Sequence, residues 1–434
     1  MDEIIVYTDL TSRTSYLFEW FLSDRLGCTI TLTDNPESYK KSNLPCINYS
    51  KQIIDKGIHV IPEGLLSETG IREKLPAIRM ENDLPVFFKA PDSPSSDIFS
   101  EIFYLISRYE EYQIANRDAH NRFEAESALL NKVNALHIPL VDVHIKNLKE
   151  KLIALYPPIK IKSSSPTFLP SFDIDNAYAY KGKGFFRNTG GFLRDILKGK
   201  FSLVSKRIKV AFGKLPDPYD SYAYIFDQLN RNNLTAYWFI PVGKRAAFDK
   251  NLPAHVPIYK SLIAQLKEYG EIGLHPSYES NSKNHLITEE RKTLENISGQ
   301  SIVSARQHYL KLKIPATYNR LIESGIKADY TMGFASHYGF RAGTSLPFSF
   351  YDLKKEQKTD LWIHPFAYMD GTLNEYMKMN TIEAKSIISK LAEQIKQTDG
   401  NFICIWHNDS LRDDDNWKGW REVFEHTIQV TSGL

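Results

Sequence analysis

Along the first 155 residues, short runs of β-branched and aromatic residues at 4–7, 29–33, 57–61 and 86–88 alternate with stretches whose apolar positions recur at helical spacing, notably 13–24 and 97–111. This pattern predicts a small α/β domain. Within 98–112 the apolar positions stand beside Arg108, Glu110 and Glu111, which predicts a helix with a solvated charged face. A helix over 145–155 ends where Pro and Ser concentrate, at 156–170, and this segment predicts a linker with a domain boundary near residue 160.

Beyond the linker, strand-like runs at 167–172, 236–242, 271–275, 302–308, 361–364 and 402–407 interleave with helix-like runs at 220–230, 258–269, 288–298, 317–324 and 381–397. Such alternation predicts a parallel sheet, either open or closed into a barrel, and therefore α/β architecture. Polar residues fall just past the strand ends, where folds of this kind place their chemistry. Two domains, 1–160 and 161–434, are also what a chain of 434 residues leads one to expect.

Composition narrows the function classes only a little. With 42% apolar and 24% charged residues the chain is an ordinary globular one, and no apolar run approaches the roughly 18 residues that span a bilayer. The N-terminus opens acidic and lacks the basic and apolar regions of a signal peptide, so a cytoplasmic location is expected. Cys28, Cys46 and Cys404 form neither a disulfide framework nor a CxxC knuckle, so any metal must be held by His and carboxylate. There is no nucleophile elbow and no Walker-type phosphate loop.

Four short motifs carry candidate chemistry. In Ser171-Phe172-Asp173-Ile174-Asp175, strand alternation puts Asp173 and Asp175 on one face, about 7 Å apart. Two such carboxylates repel unless a cation neutralises one and leaves the other as a base. In Gly273-Leu274-His275-Pro276-Ser277-Tyr278-Glu279, Pro276 ends the strand and sets His275 at its exit, where an imidazole can ligate a metal with Asp175. In Arg306-Gln307-His308-Tyr309, alternation gives Arg306 and His308 a common face, and a guanidinium beside Asp173 would favour its ionised form. The apolar run 402–406 delivers His407 to the same rim, as a group suited to proton donation near neutral pH.

Taken in order, SFDID, GLHPSY, RQHY and WHND resemble the successive motifs of the polysaccharide deacetylases, the NodB-like carbohydrate esterase superfamily, over about 270 residues. The whole chain also resembles Bacteroidetes-type polysaccharide-deacetylase-like proteins with an extra N-terminal α/β domain. The resemblance implies a distorted (β/α)7 barrel and a metal-dependent N-deacetylase acting on an acetylated glycan; a lipid-linked sugar is the substrate that the basic segment described below would suit. It implies Asp173 as general base, Arg306 as the group that orients it, Tyr309 as a backbone oxyanion donor, His407 as general acid and Asp370 as the carboxylate that steadies His407. Asp175 and His275 match metal ligands, and zinc suits the set. The sequence departs from the pattern where a second His is usual and Glu279 stands instead. Either Glu279 completes the site or His308 does, with alternation favouring His308; otherwise the metal is lost, leaving a glycan-binding or assembly module. A hydrolase of another amide is the alternative within enzymes. Tyr278, Arg341 and Trp406 are candidate substrate contacts, with Phe334, Tyr338, Phe340 and Trp417 as further aromatic residues at loop positions. His364 is expected to be structural.

One segment breaks the average charge. The chain is +2 overall, yet residues 181–214 hold ten Lys or Arg against the single acid Asp195, with apolar residues at helical spacing. This basic insertion, 181–216, is expected to form a lid with a solvated basic face, or an amphipathic surface on an anionic membrane. No nucleic-acid recognition module is present.

Overall fold

The alternating apolar residues of Glu3–Tyr7 form β1, which pairs in parallel with β2 (Thr29–Thr33) and with β3 (Cys46–Tyr49); β4 (Ile58–Val60) completes a four-stranded sheet in the order β2-β1-β3-β4. The computed structural model describes residues 2–433 apart from 91, 92, 115 and 163, and the side chains at 185–187, 191, 194 and 202 are also outside the described set. A helix over Ser12–Phe18, capped by the Thr11 hydroxyl that accepts from Thr14 N, continues as a π-helical stretch to Arg25 and buries Trp20, Phe21 and Leu22. The strand expected at 86–88 lies slightly earlier. It is the second half of an antiparallel hairpin, β5 (Arg79–Glu81) and β6 (Leu84–Val86), whose turn residues Asn82 and Asp83 both have positive φ, the combination such tight hairpins require.

The charged residues of 98–112 are not a solvated face. The helix Ile98–Ile106 is followed by Arg108, Glu110 and Glu111, all buried. Arg341, far along the chain, grips Glu111 with two parallel bonds, Nε to Oε1 at 2.9 Å and Nη2 to Oε2 at 2.7 Å. Arg108 donates to Glu111 (2.9 Å) and to Glu110 (2.7 Å), and Glu110 also accepts from Leu129 N. Burial pushes the Glu111 carboxyl up, but the two guanidinium groups outweigh it and hold it below the usual range. Arg341 is therefore a structural ion pair between the two halves of the chain, not the exposed rim contact expected of it. Tyr16 Oη and Trp20 Nε1 donate to the carbonyls of Ser349 and Pro347, so the same contact extends along the N-terminal helix.

The remaining strands make one large sheet. They are β7 (Thr167–Asp173), β8 (Ala236–Ile240), β9 (Gly270–Leu274), β10 (Ser304–Ala305), β11 (Ala328–Asp329), β12 (Phe348–Asp352), β13 (Gln357–Ile363), β14 (Tyr368–Met369) and β15 (Asn401–His407). Their order is β12-β13-β11-β10-β9-β8-β7-β15-β14, parallel throughout except for β12 against β13. The sheet curls. Tyr237 and Phe239 of β8 meet Tyr330, just past β11, at 4.9 and 5.4 Å between ring centres, and Phe366 N donates to Met332 O across the gap beside β14.

Strand alternation then divides the apolar side chains between two cores. Phe239, Tyr330, Met369, Ile403 and Ile405 fill the interior, whereas Phe172, Trp238, Phe402, Cys404 and Trp406 face the surrounding helices. The helices Tyr222–Arg231, Pro257–Glu268, Asn284–Ser298, Ala316–Glu323 and Thr381–Gln397 follow the strands as the pattern predicts, and Trp420–Thr431 adds a further one. Among the described residues no helix is long and apolar enough to cross a membrane.

Removing one partner of the buried Arg341–Glu111 pair leaves a charge without full compensation. Arg341→Leu is expected to lower unfolding stability by about 3 kcal/mol, measured by denaturant titration. A change under about 0.5 kcal/mol would show that the pair does not tie the halves together.

Candidate active site

Strand register brings the candidate residues to one end of the sheet. Asp173 pairs with His407 across β7 and β15, and Leu274 and Asp329 both pair with Ala305, so His275 and Arg306 leave their strands at one level. Met369 pairs with Ile405, which sets Asp370 beside His407. These are the carboxyl ends of parallel strands, the usual place for a site in such folds.

Asp173 is buried and held at one oxygen: Arg306 Nη1 donates to Oδ1 at 2.8 Å. The same guanidinium donates through Nη2 to Ser171 Oγ (2.7 Å) and through Nε to Tyr330 O (3.0 Å), with the Phe239 ring 4.2 Å away. Arg306 is thereby immobile, and Asp173 Oδ2 is left toward His275 Nε2, 3.9 Å distant.

Asp175 lies between two imidazoles. His275 Nε2 is 3.1 Å from Oδ1 and His308 Nε2 is 3.3 Å from Oδ2, and one ligand atom from each of the three lies within 4.8 Å of the others. The tautomers matter. His275 Nδ1 is 2.6 Å from Arg306 O, a carbonyl that can only accept, so Nδ1 carries a proton and a neutral ring turns its Nε2 lone pair toward Asp175. His308 repeats the arrangement, with Nδ1 donating to Asp249 Oδ1 at 2.9 Å. Asp175 Oδ1 has no hydrogen-bond partner despite its burial. A lone pair facing a carboxylate oxygen at 3.1 Å is repulsive until a cation or a proton intervenes. The donor set, three convergent N and O atoms backed by Asp249 and a backbone carbonyl, fits a divalent ion such as zinc.

Protons compete for the same place. Burial lowers the His308 pKa, but Asp175 and Asp249 outweigh it and push it up to about 10. The same pairing holds the Asp175 carboxyl well below its usual range against burial. His407 donates from Nδ1 to Asp370 Oδ1 at 2.8 Å and from its backbone N to Oδ2 at 2.7 Å, and its Nε2 is 3.8 Å from Asp175 Oδ2. Burial depresses this imidazole, yet Asp370, Asp175 and Asp173 together hold its pKa well above the ordinary value.

Three candidates are displaced. Glu279 is half exposed in the short turn Tyr278–Asn281 and pairs with Lys283 at 2.5 Å, so the turn carries it away from Asp175 and the third position falls to His308. Trp406 alternates away from His407 into the outer core, where its Nε1 donates to Tyr368 Oη. Tyr278 packs against Phe248 and Tyr309 and meets His120 and Lys311 instead of lining the site. Phe334, Tyr338 and Phe340 pack in the core, and His364 is a partly buried ring stacked on Tyr330.

Tyr309 lines a cavity of about 410 Å³ together with Asp173, Asp175, His275, His308 and His407. Its φ of 59° begins a left-handed turn that carries on through Leu310. β10 is only Ser304–Ala305, but the backbone stays extended at Gln307 (φ −67°, ψ 128°), so His308 reaches the rim before the chain turns. Arg122, Tyr219, Tyr376, Asp409 and Trp417 complete the wall. Arg122 donates from Nη1 to Tyr309 O (2.9 Å), so the N-terminal half of the chain braces the turn. No motif marks Arg122 or Asp249 in the sequence.

Residues 4–157 match the model of a family described as a family of unknown function, DUF7033. No curated protein matches the chain. Among solved structures, similarity is found to a Mycobacterium smegmatis protein assigned as a polysaccharide deacetylase (12% identity, TM-score 0.39, covering 62% of this chain and 85% of that one). It is also found to the polysaccharide deacetylase Bc1974 of Bacillus cereus (12%, 0.28, 62% and 86%) and to a family 4 carbohydrate esterase of Streptomyces lividans in complex with acetate (10%, 0.30, 62% and 90%).

His308→Ala should weaken zinc binding by more than about 100-fold in a competition titration, whereas Glu279→Ala should leave it unchanged; the reverse result would return the third position to Glu279. Asp249→Asn should weaken binding about 10- to 100-fold. Because the cation displaces a proton from a group whose pKa is raised to about 10, affinity should rise with pH, by about tenfold per unit for each proton displaced. A competition titration from pH 6 to pH 8 that finds constant affinity would contradict the His308 assignment.

Proposed function

We propose that the chain is a metal-dependent hydrolase that removes the N-acetyl group from a sugar of a glycan. The observation that carries this reading is the convergence of an Asp175-His275-His308 donor set with two separately anchored proton-transfer groups, Asp173 and His407, on one cavity. A divalent ion held by the three donors supplies Lewis acidity toward an acyl oxygen and lowers the pKa of water toward about 7.

The chain's own residues divide the proton work. Asp173 accepts the proton of the attacking water through Oδ2, because Arg306 already occupies Oδ1. His407, protonated and held at Nδ1 by Asp370, turns Nε2 to the cavity and gives its proton to the departing nitrogen. An amine leaves poorly unless protonated, so an amide substrate uses both groups. The Tyr309 N–H, in its left-handed turn, is the oxyanion donor of this scheme. The products are acetate and a free amino sugar. Tyr219, Tyr376 and Trp417 provide faces for a sugar ring.

Acetate release from N-acetylglucosamine oligomers by the zinc-loaded chain tests the reading. Asp173→Asn should keep its metal and lose about 10²- to 10⁴-fold in turnover, and unchanged turnover would remove Asp173 as base. His407→Ala should lose a comparable factor on the amide and far less on an aryl acetate ester, whose leaving group needs no proton. A chain that takes up no zinc and releases no acetate would instead be a ligand-binding barrel.

A further inference from the structure

Helices over Phe185–Leu197 and Phe201–Ala211 pack against each other as an arm that follows Asp175 in the chain. It exposes several large apolar side chains. Leu193, Ile196, Leu197, Phe201, Ile208, Phe212 and Leu215 are exposed, with Leu197 at 87%, Phe212 at 77% and Phe201 at 68%. These seven fall within 23 residues, against eleven other exposed large apolar side chains among all the described residues. Scattered singly such residues need no explanation, but clustered on one arm they do.

Charge gives the arm a direction. Residues 181–214 carry ten Lys or Arg and one acid, a net +9, so the rest of a +2 chain is −7. Some of its basic side chains are paired: Arg207 with Asp195 of the arm itself, Lys206 with Asp414 and Lys181 with Asp220, each at 2.8 Å. Lys198, Lys200, Lys209 and Lys214 are exposed beside the apolar residues and have no carboxylate partner among the described residues. Arg187 and Arg194 have side chains outside the described set.

We propose that this arm is a docking surface for an anionic phospholipid membrane. Leu197, Phe201 and Phe212 enter the interfacial region while the unpaired lysines meet lipid phosphates. Both parts are needed, since an apolar ridge without flanking lysines fits a protein groove equally well, and lysines without the ridge fit any polyanion. The arm is tied to the cavity. Asp414, the partner of Lys206, belongs to the segment that supplies Arg412, Asn416 and Trp417 to the cavity wall, and Tyr219 follows Asp217, which accepts from the backbone N–H groups of Ala179, Tyr180 and Lys181 at the arm's root. A docked arm is therefore joined to the cavity wall through these two contacts. The inference does not depend on the hydrolase reading.

Co-sedimentation of the full chain with vesicles tests it. Binding is expected to vesicles of phosphatidylcholine with about 30 mol % phosphatidylglycerol and not to phosphatidylcholine alone, and it should fall at least tenfold when ionic strength rises from about 0.1 M to about 0.5 M. Two variants, Lys198→Glu/Lys200→Glu/Lys209→Glu/Lys214→Glu and Leu197→Asp/Phe201→Asp/Phe212→Asp, should each lose at least tenfold in bound fraction. Both keep the thermal midpoint and zinc content of the parent, because the changed side chains are exposed. Failure of the parent to bind anionic vesicles, or binding by either variant equal to the parent's, overturns the proposal. So does a parent that self-associates through this face in sedimentation velocity, loses that association in the apolar variant and ignores vesicles, since the occupant is then a second copy.

Discussion

The site depends on one electrostatic constraint: Asp175 faces two imidazole nitrogens whose protons have been assigned elsewhere. The Arg306 carbonyl takes the Nδ1 proton of His275, and Asp249 takes that of His308. Both Nε2 atoms are thereby turned on the Asp175 carboxylate at 3.1 and 3.3 Å, an arrangement of acceptors that only a proton or a metal ion can stabilise.

Arg306 links the two halves of that device. Its guanidinium holds Asp173 in place, and its carbonyl orients His275, so one residue at the end of β10 positions both the proposed base and a proposed ligand. It can do so because the register sets β7, β9, β10 and β15 to end at a common level, and because the side chain is clamped by Ser171, the Tyr330 carbonyl and the Phe239 ring. The backbone stays extended at Gln307, which brings His308 to the same rim, and then turns left-handed at Tyr309 and Leu310, where Arg122 braces it. Distance along the sequence is no guide here; the fold makes the site from widely separated segments.

The parallel α/β architecture was legible because strand and helix periods differ and alternate cleanly after residue 160. Asp173, Asp175, His275, Arg306, His308 and His407 were legible because each stands at or just past the end of an apolar or β-branched run. β10 is only Ser304–Ala305, but the backbone stays extended at Gln307 before it turns at Tyr309. Trp406 shows an error in alternation. Period two, counted back from His407, already points its ring to the helices. Glu279 failed for a local reason, a short helical turn that offers Lys283 as a nearer partner. Arg108, Glu110 and Glu111 look like a solvated face until Arg341 arrives 230 residues later, a long-range pairing that no local pattern contains. Asp249 and Arg122 are of the same kind.

The account's central claim is that Asp175, His275 and His308 together hold one divalent ion. X-ray absorption at the zinc edge on the stoichiometrically loaded protein tests it most directly. The account predicts a first shell with two imidazole nitrogens and carboxylate or water oxygens, all at about 2.0–2.2 Å, with one imidazole lost in His308→Ala. A shell without imidazole scattering, or one unchanged in His308→Ala, would contradict it.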